Sequence, residues 1–470
     1  MLTVLLALAL ADTCSPTVSD NFSGTRAGVG TDGGLLSLSD AGPLPLDAGI
    51  VGNPEWSMGV YVSQPLDVRP LGSSDTLTWR TLRPSGLPLP DDGGTENFTR
   101  DSIDMRSNVL LQHFEDPPFT GAPAEVKDSS GLNHHGTTDG GTSIALGLLG
   151  TGASFDGDAC LTVDDAPDLR ATNALTVSAW FYPRRVDGSA QGIVSSRFDY
   201  TDRSAWTLYL HTNGHLFVDL DMENDRHEGT IVITQDRWHH AAIVYDGNLP
   251  SAVRGRLFID GVLDSNFPET SASIPGYGPP ITVGCLPNPS SFTKQGFVGE
   301  IDEVMVSLRA YSLEEVTAIY RRGASRVLGR ARGCSDATCS TNPPWPGTFF
   351  SRGGGQISLT DPFVQVQLEL VGDGSGSTWP EVSGLGVSGT PRPCDAGVDA
   401  GVHDAGVDAG VDEGIDGGID AGLPVASDAG VDGPHSLLVG CGCDALSVSP
   451  AMLLLVLWSR RRSVRLSTEG

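Results

Sequence analysis

Positive charge is scarce in this chain: 29 Lys and Arg stand against 58 Asp and Glu, a formal net charge of -29 over 470 residues. Nucleic-acid binding is excluded on that ground, because no basic stripe is present to displace the counterions of a phosphate backbone. Charge of either sign reaches only 19%, while Gly 60 and Pro 31 interrupt the sequence often, which favours many short strands over long helices. No apolar run attains the ~20 residues of an ordinary membrane-spanning helix. HExxH, a phosphate-cradling loop and a Ser/His/Asp set are all missing, so the common metalloprotease, nucleotide-hydrolase and serine-hydrolase chemistries have no carrier here. The 8 cysteines lack the paired two-residue spacing of zinc sites and fit disulfides formed in an oxidising compartment.

What is present is clearest between Gly296 and Arg322. Val298, Ile301, Val304 and Val306 form the apolar skeleton of a strand, and Ser312 followed three residues later by Glu315 is a capping box opening a short helix. Leu313, Val316, Ile319 and Tyr320 recur at helical spacing on one face of it. Downstream, Val364, Val366, Leu368 and Leu370 alternate with Gln365, Gln367 and Glu369, the period of a half-buried antiparallel strand.

Read in order, residues 1–11 are an apolar run ending Ala9-Leu10-Ala11, which fits a signal peptide cleaved before Asp12 although no Lys or Arg precedes it; a buried strand is the alternative. Residues 12–54 are Gly-, Ser- and Asp-rich and are expected to be a largely irregular leader with one or two strands at most. Residues 55–107 hold short β segments too small to bury a core alone, 108–324 the longest continuous strand pattern, and 325–391 further strands. Residues 392–436 repeat DAGVDAG with ten acids and no Lys or Arg between Asp395 and Gly433, an extended disordered linker in which like charges repel. In 437–470 a short apolar segment, Ala445 to Trp458, is followed by Arg460, Arg461 and Arg462, a short C-terminal hydrophobic helix with a positive-inside flank.

Several ordered pieces resemble a laminin-G-like, concanavalin A-like jelly roll. They are KDSSGLNHHG (Lys127 to Gly136), GTGASFDG (Gly150 to Gly157), LTVSAWFYP (Leu175 to Pro183), DRWHHAAIVYDG (Asp236 to Gly247), GRLFIDGVL (Gly255 to Leu263) and the GEIDEV strand with its helix. The resemblance covers Asn108 to Arg322 and implies an all-β jelly-roll sandwich with an extracellular binding role. The flanks, 55–107 and 325–391, resemble a β-sandwich found around surface modules of myxobacterial proteins, which implies a second small sandwich interrupted by the jelly roll; two independent β units are the alternative. Gly440-Cys441 or Gly442-Cys443 before the apolar segment and Arg cluster resembles a myxobacterial C-terminal sorting signal. That resemblance implies attachment through Cys441 or Cys443 at the outer surface, with a plain tail anchor in the membrane as the alternative.

Disulfides are expected between Cys334 and Cys339, five residues apart, while Cys160 and Cys285 flank jelly-roll strands and can pair. Within GEIDEV, Glu300 and Asp302 share a strand face and Glu303 is expected on the other, the wrong parity for the carboxylate couple of a retaining glycosidase. The resemblance points instead to a structural Ca2+ held by Asp128 and Asp302; the alternative is that both only accept backbone amides. Trp180, Phe181, Trp238, Ile243 and Phe258 read as core, and His239 and His240 face opposite ways. A ligand rim is expected on the loops Arg184 to Ala190, Phe198 to Arg203, Met222 to Glu228 and Pro287 to Lys294, with Tyr200, Arg203 and Phe292 as candidate contacts. The reading is a secreted, surface-anchored, non-enzymatic protein recognising extracellular glycan or protein; a glycan-degrading enzyme and a ligand-free envelope spacer are the alternatives.

Overall fold

The computed structural model describes residues 17–390 apart from 40, 44–52, 54, 117, 140, 172, 199–203, 221–225, 275–277, 288–294 and 378. The segment expected to be a signal peptide, the acidic repeat, the C-terminal segment with Cys441 and Cys443, and the rim candidates Tyr200, Arg203 and Phe292 lie outside the described residues.

Val364, Val366, Leu368 and Leu370 are all fully buried on the strand Phe363–Gly372, as their alternation requires. That strand pairs with Ser57–Val62 on one side and Arg326–Cys334 on the other, so residues from before 82 and after 325 share one sheet. The opposing sheet repeats the arrangement, with Ser74–Thr81 between Gly354–Leu359 and Glu381–Ser388. One core joins the two sheets, with Tyr61, Leu77 and Trp79 from the first segment packed against Val327, Leu368 and Val387 from the second. Cys334 is bonded to Cys339 at the end of this sandwich.

The leader differs from expectation. Between residues 17 and 43 the chain supplies five short strands, Thr17–Asp20, Thr25–Ala27, Val29–Asp32, Leu35–Leu38 and Gly42–Pro43, all paired into the same sandwich. Each is two to four residues long, too short to leave a periodic pattern in the sequence. Phe22, Val29, Leu36 and Leu38 nonetheless reach the core.

Between the halves of this sandwich lies a second, built from two antiparallel sheets. In one, Val298–Ser307 is central: Ala174–Pro183 pairs along one edge, while Thr151–Asp156 and Asn108–Gln112 share the other, meeting the strand's first and second halves. The other sheet runs in the spatial order Gly136–Thr138, Leu161–Val163, Ile281–Val283, Gln191–Arg197, Ser204–Leu210, His215–Leu220, His227–Val232. Val177, Ala179, Phe181 and Ile243 from the first sheet interdigitate with Val194, Leu208, Val218 and Val283 from the second. The Cys160–Cys285 disulfide adds a covalent tie beside the pairing of Leu161–Val163 with Ile281–Val283.

The helix Leu313–Ala324 covers the outer face of the first sheet. Its capping box is present: the Ser312 hydroxyl accepts from the Glu315 amide and the Glu315 carboxylate accepts from the Ser312 amide. Val316, Ile319 and Tyr320 face inward, whereas Leu313 stays exposed. Val316 and Ile319 pack with Leu89, Ile103 and Met105 over Leu111, Val244, Phe258 and Met305. Beside them Trp56 and Val371 of the interrupted sandwich meet Trp180, Trp238 and Tyr320, which fastens the two sandwiches together. Among the described residues no helix is long and apolar enough to cross a membrane.

Candidate functional site

The carboxylates of the GEIDEV strand are arranged by a bulge. Ser178 pairs with Met305 and Trp180 with Asp302, so Glu303 and Val304 together oppose Ala179, and Glu303 takes a left-handed backbone with φ 50°. The extra residue reverses the alternation: Ile301, Val304 and Val306 enter the core while Asp302, Glu303 and Met305 lie outward. The expectation that Glu303 points away from Asp302 is therefore corrected, because strand parity holds only where one residue opposes one.

All three carboxylates are nonetheless closed off, at 3% exposure for Glu300, 0% for Asp302 and 4% for Glu303. Glu300 is gripped by Arg184, whose Nε lies 2.9 Å from one oxygen and 3.1 Å from the other. Asp302 accepts the Leu149 amide at 3.0 Å and the Glu303 amide at 2.9 Å. Burial, reinforced by the charge of Glu303, holds the Asp302 carboxyl well above the usual carboxylate range. Glu303 accepts the Leu89 amide at 3.1 Å and lies 2.6 Å from His113 Nδ1. The other His113 nitrogen lies 3.1 Å from Asp91. Burial on its own lowers the His113 imidazole, but the charge and hydrogen bond of Glu303, then those of Asp91, push it up to about 9. Arg326, also buried, is lowered to about 10 by desolvation, with Asp302 opposing.

Asp128 and Asp302 are each engaged by backbone. Asp128 accepts the amides of Leu111, Ser130 and His134 together with the Ser130 hydroxyl. A calcium ion asks for roughly six to eight oxygen ligands, and carboxylate lone pairs already facing N–H donors do not fit an ion shared by these two aspartates. Among the described residues no three His, Cys, Asp or Glu side chains gather as a metal site. His239 and His240 do point to opposite faces: His239 lies 2.8 Å from Asp260 and beside Phe181, while His240 packs on Trp180.

Two surfaces remain. On the outer face of the seven-stranded sheet, His215, Phe217 and Asp219 are half-buried while Leu216, Val218 and Leu220 fill the core. Phe217 lies between His211 and Tyr209, with ring centroids 4.4 Å and 5.6 Å away; Tyr209 itself is buried, as are Thr207, Ser195 and Thr282, which follow one strand after another across the sheet. The buried Thr207 hydroxyl has no hydrogen-bond partner among the described residues. The second surface is a cavity of about 560 Å³ where the 87–96 segment, the 113–129 segment, Arg322 of the helix and Arg352 of the interrupted sandwich meet. The sequence reading singled out neither; the alternation of 215–220 carried the first, and no local pattern announced the second.

With this geometry in view, comparison with known proteins places the inserted sandwich. Residues 155–317 match the concanavalin A-like lectin/glucanases superfamily. Solved structures similar to this chain include domain 4 of AbnA, a GH43 extracellular arabinanase from Geobacillus stearothermophilus in complex with arabinotriose, at 18% identity and TM-score 0.36, covering 46% of this chain and 98% of that one. The binding domain of Paraclostridial Mosquitocidal Protein 1 follows at 16% identity and TM-score 0.37, covering 52% and 63%. The binding domain of botulinum neurotoxin serotype D/C is similar at 13% identity and TM-score 0.35, covering 46% and 52%. The chain thus spans 63% and 52% of those two binding domains. No curated protein matches it. The superfamily domain includes the bulged strand and the Phe217 row, whereas His113 and Asp91 precede it in sequence.

Proposed function

We propose that this chain is a non-enzymatic recognition protein of the cell exterior, secreted and anchored at the surface, whose concanavalin A-like domain binds extracellular glycan or protein. The reading is supported by the half-buried Phe217 and His211 rings, packed 4.4 Å apart beside buried Tyr209 on the outer face of the seven-stranded sheet. Aromatic rings offer apolar area to the C–H faces of sugars or to protein side chains. The two bonded cysteine pairs suit an oxidising compartment.

The glycosidase alternative needs a pair of carboxylates flanking an open cleft. Glu300, Asp302 and Glu303 are instead buried beneath other elements, each with its own partners. The test is a glycan array probed with the whole chain, with and without a calcium chelator, alongside the Phe217→Ala variant. Binding that falls in the variant supports the reading; no binding to glycan or to envelope protein leaves the spacer alternative, and release of reducing sugar from polysaccharides overturns the non-enzymatic assignment. Loss of binding on chelation would restore calcium to the domain.

A further inference from the structure

We propose that the cavity between the two sandwiches is a second binding site, for a neutral, hydroxyl-rich ligand such as a saccharide unit. Its volume of about 560 Å³ lies in the range of small-molecule sites, and junctions between folded units are where such sites concentrate. The site is separate from the Phe217 face and does not depend on that reading.

The charges of the wall indicate the ligand class. Arg322 clamps Glu96 with contacts of 2.8 Å and 2.6 Å, Arg352 reaches Glu115 at 3.4 Å, and His113 bridges Asp91 and Glu303. Of the charges left over, Asp116 and Lys127 have opposite signs and are both exposed. Four acids and four bases line the space, with Glu303 lying behind His113, so an ion entering it would meet little net opposite charge. Hydroxyl groups, which donate and accept at once, suit a wall that presents carboxylate oxygens and guanidinium N–H groups side by side. Those groups are reachable, since the side chains of Asp91, Glu115 and Arg352 are 53%, 39% and 49% exposed.

Phe119 supplies the apolar contact. Its ring is partly exposed and is held edge-on by buried Phe114, with centroids 6.5 Å apart. A sugar ring laid on such a face buries its C–H groups while its hydroxyls turn to the charged wall. The buried Glu96–Arg322 pair, which also ties Arg322 to the Leu87 carbonyl, keeps the wall in place before a ligand arrives.

The experiment is calorimetric titration of the whole chain with a panel of neutral oligosaccharides, and with sialylated and amino-sugar counterparts, repeated on Phe119→Ala, Glu115→Gln and Phe217→Ala. Phe119→Ala should weaken neutral-sugar binding by at least about tenfold. Glu115→Gln should weaken it less, Phe217→Ala should leave one binding event intact, and added salt should change this event little. Unfolding midpoints equal to that of the parent establish that the variants are folded; if Phe119→Ala is not, Glu115→Gln and saturation-transfer signals from Phe119 give the same reading. Binding lost only in Phe217→Ala leaves the sheet-face function standing and overturns the cavity site. Binding of charged sugars alone, or of no sugar in the panel at this cavity, also overturns it.

Discussion

Asp302 and Glu303, adjacent in sequence, lie on the same face of one strand because Glu303 occupies a bulge opposite Ala179. A non-glycine residue at φ 50° costs of order 1 kcal/mol, and the position persists because its carboxylate meets the Leu89 amide and His113 in a closed space. Glu303→Gln keeps the shape and removes the charge. It is expected to destabilise the fold by about 3 kcal/mol, since the His113 imidazolium would lose its buried counter-charge. Urea unfolding at neutral pH measures this, and a loss below about 1 kcal/mol would show that the pair is not the source of the strain's compensation.

Two histidines pull on the pH profile from opposite sides. His113 is raised in the folded state from 6.5 to about 9, so its contribution is complete below pH 6.5 and is lost as pH rises through 9. His240 is fully buried and lowered to about 4 by desolvation, with Asp260 opposing. Its contribution is complete above pH 6.5 and is lost as pH falls through 4, because the unfolded chain takes up the proton first. Each shift corresponds to about 3 kcal/mol, and together they favour greatest stability near pH 6.5. Thermal unfolding across pH 4 to 9 should lose its alkaline decline in His113→Gln and soften its acid decline in His240→Leu. Unchanged limbs in both variants would assign the profile to other groups.

Gly323 lies in the helix where alanine is intrinsically better by about 1 kcal/mol. A Cβ there would approach Trp180 Cζ2 to 2.7 Å. That ring is stacked on Tyr320, 5.4 Å between centroids, and lies against His240 at 5.2 Å, so it has nowhere to move. Overpacking costs roughly 1–3 kcal/mol and should outweigh the propensity gain. Gly323→Ala is therefore expected to lower the unfolding temperature; a rise would mean the helix can slide off the sheet.

The parts of this molecule legible in sequence are those fixed by short-range pattern. Val364, Val366, Leu368 and Leu370 all enter the core as their alternation announces, although Gln367 and Glu369 between them are buried too; Ser312 and Glu315 form the capping box their spacing announces, and Cys334 bonds Cys339 across a five-residue separation. The Cys160–Cys285 pairing, left open by the sequence, also forms. Glu303 escaped because a bulge depends on the strand opposite, and nothing in GEIDEV records that Ala179 is skipped. His113 escaped for a related reason: its partners Asp91 and Glu303 are 22 and 190 residues away. The leader strands were missed because two to four residues carry no period.

The two disulfides separate chain closure from local packing. Cys160 and Cys285 are 125 residues apart, whereas Cys334 and Cys339 are 5 apart. If cross-links act by restricting the unfolded chain, the longer loop contributes about 5 kcal/mol and the shorter about 2 kcal/mol. The double variant Cys160→Ala/Cys285→Ala should then lose about 3 kcal/mol more in denaturant unfolding than Cys334→Ala/Cys339→Ala. The close approach of Gly192 is to the Cys285 backbone, where a Cβ would lie 2.2 Å from its carbonyl carbon, so it survives removal of the sulfur and does not blur the comparison. Equal losses from the two variants would mean that burial around each sulfur, and not the length of chain enclosed, governs what these bonds contribute.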